Sequence, residues 1–242
     1  MPITPVRTIT SKVWGLSFDG VDDYVDIPDS LPLNPDAYTI EILARCDGPN
    51  SPNTFQQLVD LRGERATFID LDISLRLRFR IYDGTTTYDL YANTIDYDVF
   101  YHIVALFDGA YMHMYINGTE ATTPISANPP TTAANNSLVG KDYNLAADRG
   151  WWNGIIVFVR IYNRALSEDE ILDNYRGYVT TDGLVLWLWA NELLASGSVW
   201  RDRSGYGNHA TIYGAGWVET PRIEFAKPTR LIAQTRLISP TR

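Results

Sequence analysis

Apolar and polar residues alternate in short runs along most of this chain, and turn-forming residues separate the runs. Leu16–Ile27 reads as a strand, a turn at Gly20–Asp22 and a second strand. Tyr38–Ala44 alternates, and a Pro- and Asn-rich loop at 47–53 follows it. Gln57–Leu61, Ala66–Ile69 and Ser74–Tyr82 read as strands, and Asp83–Gly84 turns the chain tightly into Thr87–Ala92. His102–Phe107 and Met112–Ile116 form a hairpin over Asp108–Gly109, with Asn117–Gly118 opening the next one. Residues 122–137 read as a long surface loop and Ser137–Lys141 as a short strand. The strongest pattern is Gly150–Ile171, GWWNGIIVFVRIYNRALSEDEI. There Ile155, Val157, Val159 and Ile161 share one face of a strand, and Ile156, Phe158, Arg160 and Tyr162 share the other. Ser167 then caps a helix over 167–176, and Glu170 completes a capping box. Many short strands with one short helix predict an all-β, two-sheet antiparallel sandwich.

That stretch, with its VRIYNRALS sequence, resembles the closing motif of the laminin-G-like, concanavalin A-like jelly-roll family. LSFDGVDDYVDIP at 16–28 is similar to the family's early strands, Tyr38–Ala44 to its next core strand and Tyr101–Glu120 to its central hairpins. LVLWLWANELLASGSVWRDRSGYGNHATIYGAGW at 184–217 resembles the family's opening element, yet here it comes last. The resemblance implies a jelly-roll domain over 14–217, flanked by arms at 1–13 and 218–242. The displaced element either folds back beside Phe18–Asp23, the reading we favour, or docks on a neighbouring subunit by strand exchange. The fold alone does not fix a function, because lectins, adhesins, hydrolases and assembly proteins share it.

With 242 residues, 45% of them hydrophobic, the chain can build one large β domain. No apolar run is long enough to span a bilayer, which argues against membrane insertion. The N-terminus shows no signal-peptide core, which suggests cytoplasmic production even if the protein ends on an extracellular surface or a particle. A single cysteine, Cys46, excludes an internal disulfide framework. The net charge is −9, but residues 221–242 carry +4 and the rest −13. An acidic body with a basic arm suggests self-association through that arm; the plainer reading is a solvated tail. Thr229-Arg-Leu-Ile recurs at Thr235, a spacing that suits an added strand. The acidic body gives no sign of nucleic-acid binding.

Candidate chemistry is sparse. Arg76, Arg78 and Arg80 share one face of a strand and are expected to pair with Asp70, Asp72 and Asp89 rather than to hold an acidic ligand. Asp70 and Asp72 are also the nearest thing to the carboxylate pair of a glycoside hydrolase. His102, His113 and His209 lie far apart in sequence, although the first two fall on one hairpin. Calcium is the one cofactor the resemblance suggests, with Asp19, Asp22 and Asp23 on one turn and Asp202, Ser204 and Asn208 on a Gly-rich loop as oxygen donors. These residues equally suit turn capping. For a glycan, Trp151 and Trp152 beside Tyr143, Asp148 and Arg149 form the expected aromatic platform; the alternative is that one ring packs in the core and the other covers an edge. The expected function is a non-catalytic surface or virion-type module that recognises a glycan or a cell-surface or particle protein, with the arms promoting assembly. A free lectin and a glycoside hydrolase are the alternatives.

Overall fold

The computed structural model describes residues 13–28, 31–34, 36–49, 55–61, 66–131, 136–142, 150–189 and 197–220. Tyr143, Asp148, Arg149, residues 1–12 and residues 221–242 with the Thr229 and Thr235 repeat lie outside them.

In chain order the strands are β1 (Val13–Asp19), β2 (Tyr24–Ile27), β3 (Tyr38–Cys46), β4 (Gln56–Leu61), β5 (Thr67–Leu71) and β6 (Arg76–Tyr82). Next come β7 (Thr87–Thr94), β8 (Phe100–Phe107), β9 (Tyr111–Ile116), β10 (Thr119–Glu120), β11 (Ile125–Ser126), β12 (Ser137–Val139) and β13 (Asn153–Tyr162). Helix α1 (Glu168–Tyr175) precedes β14 (Leu184–Trp189), β15 (Val199–Trp200), β16 (Ala210–Tyr213) and β17 (Gly216–Thr220). One sheet runs β10-β9-β8-β3-β13-β1-β17, with β11 on β9 and β14 on β13; the other runs β15-β16-β2-β12-β4-β5-β6-β7. Every strand pair is antiparallel, so the fold is the expected two-sheet sandwich of jelly-roll type.

The core between the sheets takes alternate residues of each strand, among them Val25 and Ile27 of β2, Leu77, Phe79 and Ile81 of β6, and Ile40 and Ile42 of β3. The turn at 20–22 carries the chain from one sheet to the other, since β1 pairs with β13 and β17 while β2 pairs with β12 and β16. The displaced C-terminal element closes the sandwich within one chain. β17 lies on β1 from Val13↔Thr220 to Ser17↔Gly216, β16 lies on β2, and β14 lies on the second half of β13.

β13 departs from the simple alternation. A bulge between Ile156 and Phe158 shifts its register on β3. Before it Ile155, and at it Val157 and Phe158, pack on the outer side with Leu43, while Ile156, Val159 and Ile161 enter the core. One extra residue flips the phase of everything after it, so the four residues expected on one face divide between two. Gly154 has φ +151, and a Cβ there would lie 2.0 Å from the Arg45 carbonyl oxygen; only glycine allows β13 to start this close to β3.

Helix α1 starts as the capping box requires. Ser167 Oγ accepts from the Glu170 amide, and the Glu170 carboxylate accepts from the Ser167 amide. Ile171, Asn174 and Tyr175 face the outer side of the first sheet. No helix among the described residues is long and apolar enough to cross a membrane.

Candidate functional site

On β2 the core takes Val25 and Ile27, so Tyr24 and Asp26 point outward. On β16 the same alternation sends Thr211 and Tyr213 outward. The register Tyr213↔Tyr24 sets the two rings side by side, stacked with centroids 4.5 Å apart and planes within 9°. Tyr213 is 43% exposed and forms the open face of the stack. Behind it, Lys141 Nζ lies 4.5 Å from the Tyr24 ring centre and 4.8 Å from that of Trp151. Asp26 shares this face. Its Oδ1 is a buried acceptor with no donor, and burial raises the pKa of the carboxyl against the pull of Asn136 and Lys141.

The acidic turn adjoins this patch through Asp23, the neighbour of Tyr24. Carboxylate oxygens of Asp19, Asp22 and Asp23 lie within 4.8 Å of one another. Asp23 is buried, and its pKa is raised by that burial and by the charges of Asp19 and Asp22, partly offset by the Asp19 amide. Three hard carboxylates at this separation suit a calcium ion, which would relieve their repulsion. Asp202 and Asn208 do not join them. Asp202 Oδ1 accepts from the Trp187 and Ser204 amides, and Oδ2 accepts from Ser204 Oγ and the Asn208 amide. Asn208 Nδ2 donates to the Val185 carbonyl. These residues pin the Gly-rich loop to β14, which is the turn-capping role.

Trp151 and Trp152 do not form an open platform. Trp152 is fully buried in the core, and Trp151 is 7% exposed, covered by Lys141 and tilted against Tyr24. Both rings precede the first residue of β13, one packed inward and the other covered at the edge, so they present no common stacking surface. The exposed ring of this region is Tyr213, 62 residues further on in the chain and brought in by strand pairing.

The arginine row of β6 is neutralised as expected. Arg78 grips Asp70 with two donors, Arg80 grips Asp89, and Arg76 holds Asp72. Asp70 is 1% exposed and clamped, and Asp72 also accepts from the Ser74 and Arg76 amides. As a carboxylate pair for hydrolysis they are fully engaged. Cys46 is buried, and burial pushes its thiol up to about 11, which leaves a poor nucleophile.

The histidines do not converge. His209 Nδ1 accepts from the Asp202 amide, and His113 bridges Asp108 and Glu120. His102 belongs to a network that sequence reasoning missed. Glu41 on β3, completely buried, takes bonds from His102 Nε2 (2.7 Å) and Arg160 Nη1 (2.8 Å) on one oxygen and from Tyr162 and Asn174 on the other. Burial alone would raise the Glu41 pKa; Arg160 and His102 override it and hold the carboxylate down at about 2. The one available signal was a lone Glu inside the apolar run Thr39–Ala44.

Residues 19–172 match the family model described as the concanavalin A-like lectin/glucanases superfamily. The match ends before β14, so the element that closes the sandwich lies outside it. No curated protein matches the chain. Among solved structures, a candidate carbohydrate-binding protein from Bacteroides ovatus aligns with a TM-score of 0.71 at 16% identity, over 89% of this chain and 62% of that one. The heptameric pentraxin of Limulus polyphemus aligns with a TM-score of 0.54 at 11% identity, over 71% of this chain and 83% of that one. The NanB sialidase of Streptococcus pneumoniae, as a K499G mutant, aligns with a TM-score of 0.51 at 17% identity, over 70% of this chain and 28% of that one. This chain thus spans less than two thirds of the Bacteroides protein and under a third of the sialidase.

Proposed function

We propose that this chain, which belongs to the concanavalin A-like lectin/glucanases superfamily, is a non-catalytic glycan-recognition module. The observation that carries the reading is the Tyr24–Tyr213 stack, with one ring face open to solvent. A sugar's apolar C–H face packs on an aromatic ring of this kind. The carbohydrate-binding likeness of the Bacteroides protein points the same way.

Asp19, Asp22 and Asp23 are the residues that would hold a calcium ion beside this face, where its charge would orient sugar hydroxyls and stiffen the turn leading into Tyr24. The finer expectation of an extracellular or virion surface protein that assembles through its arms is part of the same proposal. It rests on the charge split between body and tail.

A screen of the full chain on a panel of immobilised saccharides tests the reading, with Tyr213→Ala beside the wild type. A saccharide held by the wild type and weakened about tenfold or more by the variant supports it. A panel without a bound saccharide, or equal binding by the variant, rejects it.

A further inference from the structure

β14 carries a second aromatic pair, and this one is spaced for recognition. Leu186 and Leu188 enter the core, so Trp187 and Trp189 both turn to the outer side of the first sheet. Their rings lie within 16° of parallel, with centroids 6.0 Å apart, and both are half-buried. The segment 201–203 runs antiparallel beside them. Leu188 bridges Asp202, and the Arg203 amide donates to the Trp187 carbonyl. This register sets Arg203 opposite Trp187 and Arg201 opposite Trp189, with both arginines alternating to the tryptophan side while Asp202 turns inward. The Arg203 guanidinium lies 5.5 Å from the centre of the Trp187 ring and 4.8 Å from that of Trp189.

The contrast with β6 gives these arginines their meaning. Arg76, Arg78 and Arg80 each have an aspartate partner. Arg201 and Arg203 are both exposed and have no carboxylate partner among the described residues, within a body whose net charge is strongly negative. A guanidinium held over an indole by its π face retains N–H donors for the paired oxygens of a carboxylate or a sulfate. The Trp187 indole N–H is buried without an acceptor.

We propose that Trp187, Trp189, Arg201 and Arg203 form a second saccharide site, on the sheet opposite Tyr213, that takes an acidic sugar. The sugar ring packs along the tryptophans, and its carboxylate or sulfate pairs with the arginines. This inference shares with the proposed function only the premise that the protein binds saccharides; it uses different residues on a different sheet.

The test is affinity electrophoresis of the full chain in gels holding polygalacturonate, dextran sulfate or neutral dextran at fixed ionic strength. Retardation by polygalacturonate assigns the acid as a carboxylate and retardation by dextran sulfate as a sulfate; either supports the site if neutral dextran retards less. The double variant Arg201→Gln/Arg203→Gln keeps the basic C-terminal segment and is expected to lose at least tenfold in affinity for the acidic polymer. Trp189→Ala is expected to lose a similar factor, and the double variant carries the test should Trp189→Ala fail to fold. Tyr213→Ala is expected to leave acidic-polymer binding unchanged, which separates this site from the first. No retardation by either acidic polymer, or retardation that survives in the double arginine variant, overturns the proposal.

Discussion

The outer side of each sheet carries a polar cluster, and the two are built on opposite terms. Beneath α1, Glu41 is sealed from water and meets four donors from His102, Arg160, Tyr162 and Asn174. At the end of the other sheet, Tyr213 is open and Asp26 Oδ1 is left without a donor. A carboxylate whose bonds are all made by the protein has nothing left for a ligand and serves to fasten the elements it joins, here β3, β8, β13 and α1. An open ring contributes little to stability and leaves one face uncovered. The comparison teaches that chemical richness is a poor guide to a binding site; an uncovered surface is a better one.

The largest effect is expected from breaking the sealed cluster. Glu41→Ala leaves the Arg160 charge buried and unpaired, and is expected to cost about 3–5 kcal/mol of stability. Denaturant unfolding checks this by a lower midpoint, and the saccharide selected by the panel screen should still bind whatever fraction remains folded.

Acid titration sharpens the same side. The Glu41 pKa is near 2 in the folded chain against a reference value of 4.5. Its contribution to stability is therefore fully present above about pH 4.5 and is lost as pH falls toward 2. Thermal melts between pH 6 and pH 2 should show this loss in the wild type, and a stable Glu41→Gln variant should show a shallower dependence.

On the open side, Tyr213→Ala is expected to cost under about 1 kcal/mol of stability while removing most saccharide affinity. Equal losses in melting temperature and affinity would erase the distinction between the two clusters.

The smallest effect concerns the acidic turn. Calcium is expected to raise the melting temperature by a few degrees in the wild type and not in Asp22→Asn. Asp22 is exposed and is not tied into a capping bond as Asp19 and Asp23 are, so its change leaves the turn intact.

Much of the sandwich could be read from the chain because period-two alternation and turn residues are local signals. The strands from β3 to β9 and the capping box at Ser167 follow from them, whereas the return of 184–217 to β1 and β2 was expected from its resemblance to the family's opening element. The aspartate partners of the β6 arginines were legible for the same reason, since neighbouring strands face one another. The bulge in β13 was not, because one extra residue in an apolar run leaves no polar mark. The Trp151–Trp152 platform is not open, and the alternative weighed beside it, one ring in the core and the other covering an edge, is what the structure shows. Tyr24 and Tyr213 are 189 residues apart, and only the pairing of β2 with β16 brings them together. Glu41 gathers partners from three other elements, a convergence that no local pattern encodes.

The central claim is that the Tyr24–Tyr213 face holds a sugar, and a crystal structure of the full chain soaked with the saccharide selected by the panel screen tests it most directly. A sugar ring lying on the open face of Tyr213 is expected. A saccharide bound away from this face, with Tyr213 still open to solvent, would contradict it.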